Sequence, residues 1–530
     1  MSTSSPIWMF QIDGEFFTIR PGQLILCWRN DDERQRLVDL VHAAFPAAAV
    51  FDPSDENGIR QSLGLDQLSL VHGLESFGPP TAVRDRMIRV TEQNGRISLN
   101  RLMFAGAGAV ATPQGVTVDD CCDPAREDVA GGAGGGARLN PWYLNPWYLN
   151  PWYLNPWYLN PWYLNPWYLN RILLGEPVPR PPWATSAKPA SSKLRDDERE
   201  VEGELVTVWI LDSGLADYPG APGTYLPNEP GLSDPWPATN PPTGDHRPDY
   251  LDRLGISGDH FDRPDELPFL GDGFVDPTAG HGTFIAGIYE QLAPGCDIKV
   301  KRVLGPAGDI SEFALMNFLT EVMNSENAAR TVVNLSFGGP DGQGNECVQE
   351  HLTMLASLKV AIVASAGNEG TCAATFPAAY QYVVGVGALD GDDPAPFSNY
   401  GSWVNTWAQG VDLHSCFLLV DPPAPNRVDE IEIEGLPGGW PGADGARPAD
   451  IDLTPTAEPD AFPDAWATWS GTSFAAPVIG ARIATQLQQG GASAWDVANE
   501  YLQAPEDPCA VDDRSHPDID TIRLPAGDDS

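Results

Sequence analysis

Ser473 lies in Ser470-Gly-Thr-Ser-Phe-Ala-Ala-Pro477, a glycine-containing turn that runs into an apolar, small-residue stretch of helical character. Such a turn frees the hydroxyl for attack, and a helix N-terminus offers N–H groups and a positive dipole end to a developing anion. Pro477 fits a helix start, because the N–H it lacks belongs to the first turn. Far upstream, Val206-Thr-Val-Trp-Ile-Leu-Asp-Ser-Gly214 is an apolar, β-branched run closed by Asp212. It reads as a buried parallel strand delivering a carboxylate at its C-terminal edge, where open α/β sheets bind ligands. His281 sits between glycines in Ala279-Gly-His-Gly-Thr-Phe-Ile-Ala-Gly287, at the start of a small-residue helix. Each segment alone has a bland reading, a turn aspartate or an N-cap-adjacent histidine. Together, in the order Asp, His, Ser, they supply an orienting acid, a general base and a nucleophile. The other histidines, among them His246, His260 and His414, have no metal-ligand spacing and read as solvated or structural.

Two further segments extend the pattern: Asn334-Leu-Ser-Phe-Gly-Gly-Pro340 and Ala364-Ser-Ala-Gly-Asn-Glu-Gly370. The five segments, in this order over residues 200–505, resemble the subtilisin-like serine peptidases, the subtilases. The resemblance implies a doubly wound α/β fold with a mostly parallel sheet. It implies a triad of Asp212, His281 and Ser473, with Asn368 as side-chain oxyanion donor. Ser336, Phe337, Gly338 and Gly339 would flank the primary specificity pocket on one side, and Ser365, Ala366 and Gly367 on the other. Thr375 falls near the pocket base. It is bulkier than the glycine often found there, so either the pocket is shallow and takes apolar residues of middling size, or Thr375 points away and the pocket stays deep. The implied activity is that of a serine endopeptidase acting on polypeptides and made as an inhibited precursor. Rival readings are a catalytically silent interaction scaffold and an exopeptidase with a loop-blocked cleft.

Many secreted subtilases carry a calcium loop after the histidine helix. Here the chain reaches Ala293-Pro-Gly-Cys296 with no room for one, and Asp390-Gly-Asp-Asp393 reads as a hydrated turn, so no metal and no cofactor is expected. Two long insertions rich in Pro, Asp and Gly, residues 218–268 and 422–463, should emerge beside the cleft.

The chain of 530 residues exceeds one compact domain. Residues 1–110 read as a small α/β unit: strands at Glu15–Arg20 and Gln23–Trp28 joined by a Pro-Gly turn, a helix capped by Asp31, and strands at Ala48–Phe51 and Ile97–Phe104. Its position resembles that of subtilase propeptides, which implies inhibition within the chain, with the segment Leu102–Ala111 lying in the cleft. A separate partner-binding module is the alternative. Residues 111–199 form a linker containing six identical copies of Pro-Trp-Tyr-Leu-Asn from Pro141 to Asn170. Proline every fifth residue forbids a continuous helix, and the dense aromatics suit a docking strip for a protein partner. Perfect identity equally fits a recently expanded repeat that the linker tolerates. The peptidase-like unit spans 200–505 and an acidic tail spans 506–530. The net charge of −42 argues against nucleic acid or an anionic membrane as partner. With no signal-like N-terminus, the eight cysteines read as reduced and the location as cytoplasmic, with Cys347 and Cys372 the pair to join on export.

Overall fold

A computed structural model describes residues 8–12, 15–53, 58–105, 176–177, 205–216, 257–258, 261–262, 278–305, 308–325, 327–340, 344–368, 370, 373–419, 462, 465–490 and 492–502. The repeat, nearly all of both insertions, the segment 106–111 and the C-terminal tail lie outside the described residues.

The larger unit is built on β7 (Thr207–Asp212), β11 (Asp297–Arg302), β13 (Thr331–Leu335), β15 (Ala361–Ser365), β17 (Val384–Asp390) and β19 (Thr406–Gln409), all mutually parallel. The short β9 (Ser257–Gly258) extends one edge, and β18 (Asp393–Pro394) turns back antiparallel on β17 through the Asp390–Asp393 turn. Alternate side chains of each central strand go to opposite faces. Val208, Ile210, Val332 and Val363 join a core under the helices α4 (His281–Leu292) and α7 (Thr472–Gln488), with α8 (Ala494–Leu502) beyond them. Leu211, Val333, Leu335 and Ile362 join a second core under α5 (Glu312–Met323) and α6 (Glu346–Ser357). Helices on both faces explain why these strands read as continuous apolar runs. Minor pairs complete the unit: β8 (Leu215–Ala216) with β10 (Phe261–Asp262), and β20 (Leu413–Cys416) with β21 (Trp466–Trp469). From the linker, β6 (Glu176–Pro177) adds antiparallel to β21.

The N-terminal unit has strands β1 (Trp8–Ile12), β2 (Glu15–Trp28), β3 (Ala49–Phe51), β4 (Gln67–His72) and β5 (Ile97–Ala105), with helices α1 (Asp31–Ala44), α2 (Ile59–Leu63) and α3 (Pro80–Gln93). Its sheet is apolar on both faces. Leu24, Leu26, Ile97 and Leu99 pack under α1 and α3, whereas Ile25, Cys27, Leu68, Leu70 and Met103 share the core of α5 and α6. The second face is therefore completed by the larger unit.

Three local expectations need correction. Pro21-Gly22 does not end a strand: β2 runs through it with a register shift between Ile19 and Leu24. Gly22 has φ 61° there, and a Cβ would lie 2.5 Å from the Glu75 nitrogen, so the dipeptide makes a bulge over the turn Leu74–Phe77. The cap of α1 is Asn30, whose side chain accepts from the Glu33 N–H at 3.0 Å, and Asp31 is the first helical residue. Finally, Cys347 is bonded to Cys27 rather than to Cys372, which lies outside the described residues. The N-terminal sheet packs against the start of α6, bringing the two Cα atoms to 6.7 Å, within disulfide reach. The reading of all eight thiols as reduced fails with that bond; Cys296 and Cys416 are buried thiols.

Candidate active site

Asp212 ends β7, and its Oδ1 accepts from the Ser213 N–H and from His281 Nδ1, both at 2.7 Å. The carboxylate and imidazole are fully buried. His281 opens α4 after Gly280, whose φ is 78° and whose Cβ would strike the Phe417 ring at 2.4 Å. On the other side, a Cβ on Gly282 would lie 2.5 Å from the Gly214 carbonyl. Both neighbours of the histidine are glycine because no side chain fits. Trp469 and Phe474 line the imidazole, with ring centroids 5.5 and 5.1 Å away. His281 Nε2 has no hydrogen-bond partner among the described residues.

Ser473 is the second residue of α7. Pro477 is therefore not in the first turn as expected but lies within the helix, where its missing N–H leaves the Ser473 carbonyl without an i+4 donor. Ser336 takes that place: its hydroxyl donates to the Ser473 carbonyl at 2.7 Å and accepts from Asn334 Nδ2 at 2.8 Å. The Ser473 hydroxyl donates to the Ser336 carbonyl at 3.2 Å, not to His281.

Asn368 is oriented by Thr472. Its Oδ1 accepts from the Thr472 N–H at 2.8 Å and from the Thr472 hydroxyl at 2.9 Å. A backbone N–H can only donate, so the amide is fixed with Nδ2 turned away, buried and unpartnered among the described residues. The Thr472 hydroxyl in turn accepts from the Gly367 N–H at 3.0 Å. Sequence reasoning passed over Thr472, although it stands inside the Gly-Thr-Ser turn.

The expected pocket residues converge. Ser336 leads into β14 (Phe337–Pro340), which pairs with β16 (Thr375–Phe376). Phe337 contributes backbone only, since its ring is buried in the core of α5 and α6. Ser365, Ala366 and Gly367 end and follow β15. Thr375 stands between the walls: its methyl would be 2.6 Å from a Cβ on Gly338, and its hydroxyl accepts from Asn399 Nδ2 at 3.0 Å. The same Asn399 amide reaches the Ala366 carbonyl at 3.0 Å. Asn399, missed in the sequence, ties the pocket base to the loop that carries Asn368.

The cleft edge is occupied. β5 inserts antiparallel between β14 and β12 (Asp309–Ser311), with Ala105 opposite Phe337, Phe104 opposite Gly338 and Asp309, and Leu102 opposite Ser311. The Ala105 N–H donates to the Gly308 carbonyl at 2.8 Å. Phe337 follows Ser336, whose carbonyl holds the Ser473 hydroxyl, so β5 runs toward the candidate nucleophile and Ala105 is its leading described residue.

Charged and polar groups add to the apolar packing of this seam. Arg20 pairs with Asp309 at 2.6 Å, and Arg60 donates to Asn317 at 2.7 Å and Thr320 at 3.2 Å. Glu350 of α6 faces Asp66, Arg96 and Arg29, with Arg96 at 3.5 Å and Arg29 at 4.0 Å. Partial burial, then the Asp66 carboxylate, pushes the Glu350 carboxyl up to about 7 despite the two arginines. Beside it His351 is buried, Nδ1 at 2.7 Å from the Cys347 carbonyl, and burial with the Arg60 charge pushes it down to about 4. Burial also raises Glu312, which accepts from Asn345 Nδ2 at 2.8 Å.

An open α/β sheet with an acid–imidazole pair at one strand end and a serine at a helix N-terminus defines the class as a serine hydrolase fold. The family model "Subtilase family" (Peptidase_S8) matches residues 203–504, and the chain belongs to that family of serine peptidases. It is similar to proteinase T of Parengyodontium album, 32% identical over 180 residues, covering 31% of this chain and 60% of that protein. It is also similar to an extracellular basic protease of Dichelobacter nodosus, 31% identical with coverages of 41% and 38%. A third relative, subtilisin Savinase of Lederbergia lenta, is 30% identical with coverages of 26% and 53%. The chain thus spans roughly two to three fifths of the length of these relatives. Among solved structures, a cold-adapted subtilisin-like serine proteinase aligns with TM-score 0.34 and 19% identity, covering 56% of this chain and 81% of the other. A mutant protease domain of PatA aligns with TM-score 0.36 and 20% identity, covering 59% and 94%.

Proposed function

We propose that the chain is a serine endopeptidase made as a precursor, with Asp212, His281 and Ser473 as its triad and the N-terminal unit as the occupant of its own cleft. The observation that carries the reading is the insertion of β5 between β12 and β14, directed at Ser473. That slot binds an extended backbone by hydrogen bonds on both sides, which is how a site accepts an internal stretch of polypeptide.

In the reaction Ser473 Oγ rotates from the Ser336 carbonyl toward His281 Nε2, the ring nitrogen with no partner among the described residues. It loses its proton there as it attacks the scissile carbonyl, and His281 later passes that proton to the leaving amine. Asp212 Oδ1 keeps the Nδ1–H tautomer and stabilises the imidazolium. Asn368 Nδ2, aimed away from Thr472, and the Ser473 N–H at the start of α7 receive the oxyanion. The position of the Thr375 methyl favours a shallow primary pocket and small to middling apolar side chains before the cut.

The compartment and a partner for the Pro-Trp-Tyr-Leu-Asn repeat stay with this proposal: a cytoplasmic peptidase whose repeat docks on another protein. No described helix is long and apolar enough to cross a membrane. The activity is tested by incubating linker-cleaved protein and its Ser473→Ala variant with a peptide library. Internal cleavage after small to middling apolar residues by the first alone is expected. Trimming from chain ends only, or no cleavage, overturns the reading.

A further inference from the structure

Cys27 of β2 and Cys347 of α6 form a bond across the seam, joining residues 320 positions apart. The other seam contacts named above are hydrogen bonds, ion pairs and apolar packing. In sequence the two units are joined only through residues 106–204, the stretch where the proposed precursor would be cut. Cutting there breaks the polypeptide and leaves the disulfide. Cys27 lies on β2 beside the start of β5, where its N–H donates to the Arg96 carbonyl at 3.0 Å. The slot holds Leu102 to Ala105 at the other end of β5, so the bond tethers the unit without being part of the block.

We infer that Cys27–Cys347 is a site of thiol–disulfide exchange, and that a dithiol reductant acting on it decides when the N-terminal unit leaves the cleft. The inference rests on the proposed reading of β5 as the occupant of a peptidase cleft. A thiolate of the reductant attacks one sulfur, forming a mixed disulfide and expelling the other cysteine as thiolate. The second thiol of the reductant then displaces the protein sulfur. The protein gains two electrons and two protons as paired thiols, and the reductant ends as its own disulfide.

Burial imposes an order on these steps. Cys27 is fully buried and Cys347 is 3% exposed, so an attacking thiolate has no in-line approach while the seam is closed. Exchange follows loosening of the seam. Until exchange occurs, a severed N-terminal unit faces the cleft at an effective concentration on the order of mM and reinserts β5. After exchange it is diluted into bulk solvent. Cys296 and Cys416 belong to the core on the opposite face of the central sheet, away from the exchange.

The test uses the full chain carrying Ser473→Ala, nicked by an added protease of unrelated class under conditions where mass spectrometry finds cuts only within residues 106–204. In denaturing gels the fragments are expected to run together without reductant and apart with it. The same chain with Cys27→Ser should separate without reductant. Fragments of the Ser473→Ala chain separating without reductant overturn the tether. Should Cys27→Ser fail to fold, mapping of the non-reduced digest decides the point: a peptide linking Cys27 to Cys347 supports the tether and its absence overturns it. A second arm labels the nicked chain bearing Ser473 with a fluorophosphonate at nanomolar protein, with and without a dithiol. Labelling should rise on the order of 10²-fold with the dithiol and be unresponsive in Cys27→Ser. Equal labelling in both conditions overturns the gate. No labelling in any state, Cys27→Ser included, overturns the peptidase reading, while the gels still decide the tether.

Discussion

Around His281 and Ser473 the packing is aromatic and closed, with Phe284, Phe417, Trp469 and Phe474 in mutual ring contact. Across the seam to the N-terminal unit, the apolar packing of Ile25, Leu68, Leu70 and Met103 on the core of α5 and α6 is joined by contacts of another kind: Arg20 to Asp309, Arg60 to Asn317, Arg29 and Arg96 to Glu350, and one disulfide. A group that must keep one geometry through every turnover is best held by dense apolar packing, which has no cheap alternative arrangement. On the proposed reading the seam must open, and its partly exposed polar contacts, such as Arg29 and Arg96 to Glu350, are the part that responds to pH and salt. On that reading the fixed site and the releasable unit are held by different mixtures of contact.

The comparison is broken most severely at the fixed end. Ser473→Ala should lower kcat by on the order of 10⁶, a magnitude established in subtilisin itself, with the thermal midpoint unchanged. Asn368→Leu should lower kcat about 10²–10³-fold with KM nearly constant, again a magnitude established within this family. Steady-state kinetics on released enzyme checks both, and a change confined to KM would place Asn368 outside the oxyanion site.

At the seam the effects are smaller. Arg60→Ala deletes the donor to Asn317 and Thr320 and should weaken docking of the N-terminal unit by about 2 kcal/mol. The His351 titration should move upward in the same variant, because Arg60 holds it down. Dissociation of the nicked, reduced protein and NMR titration of the imidazole read the two effects.

The seam also carries opposed pH dependences. Glu350 is raised from 4.5 to about 7, so its contribution is full below 4.5 and is lost as pH climbs through 7 and its charge meets Asp66. His351 is lowered from 6.5 to about 4, so its contribution is full above 6.5 and is lost as pH falls through 4. Retention of the N-terminal unit should weaken from pH 6 to pH 8, and Glu350→Gln should flatten that limb alone. An unchanged alkaline limb in Glu350→Gln would remove Glu350 from the account. The mildest change is Thr375→Gly, which clears the pocket base and should shift kcat/KM about tenfold toward larger side chains, read by library cleavage.

The segments of the candidate site were legible because each is local: Asp212, His281 and Ser473 each stand in a short motif whose glycines and strand or helix starts are visible in the sequence, and the structure brings Asp212 and His281 into contact. The central strands were legible for the same reason, as apolar runs between turns. Contacts between distant segments were not. Nothing near Cys27 names Cys347 as its partner, and the Cys347–Cys372 expectation followed nearness to the presumed pocket. Thr472 and Asn399 are ordinary polar residues until the fold sets them against Asn368 and Thr375. Pro477 misled in the useful direction: its missing N–H serves the Ser336 hydroxyl rather than a helix start. The Pro-Gly pair in β2 looked like a turn because a bulge uses the same left-handed glycine.

The central claim, a competent serine nucleophile sealed under its own N-terminal unit, is tested most directly by the rate of fluorophosphonate labelling. Intact protein, linker-cleaved and reduced protein, and the cleaved Ser473→Ala variant should be compared at equal concentration. Slow or absent labelling of the intact chain, complete labelling after release and none in the variant are the predicted results. Released protein that stays folded and unlabelled, or intact protein labelled as fast as released protein, would contradict it.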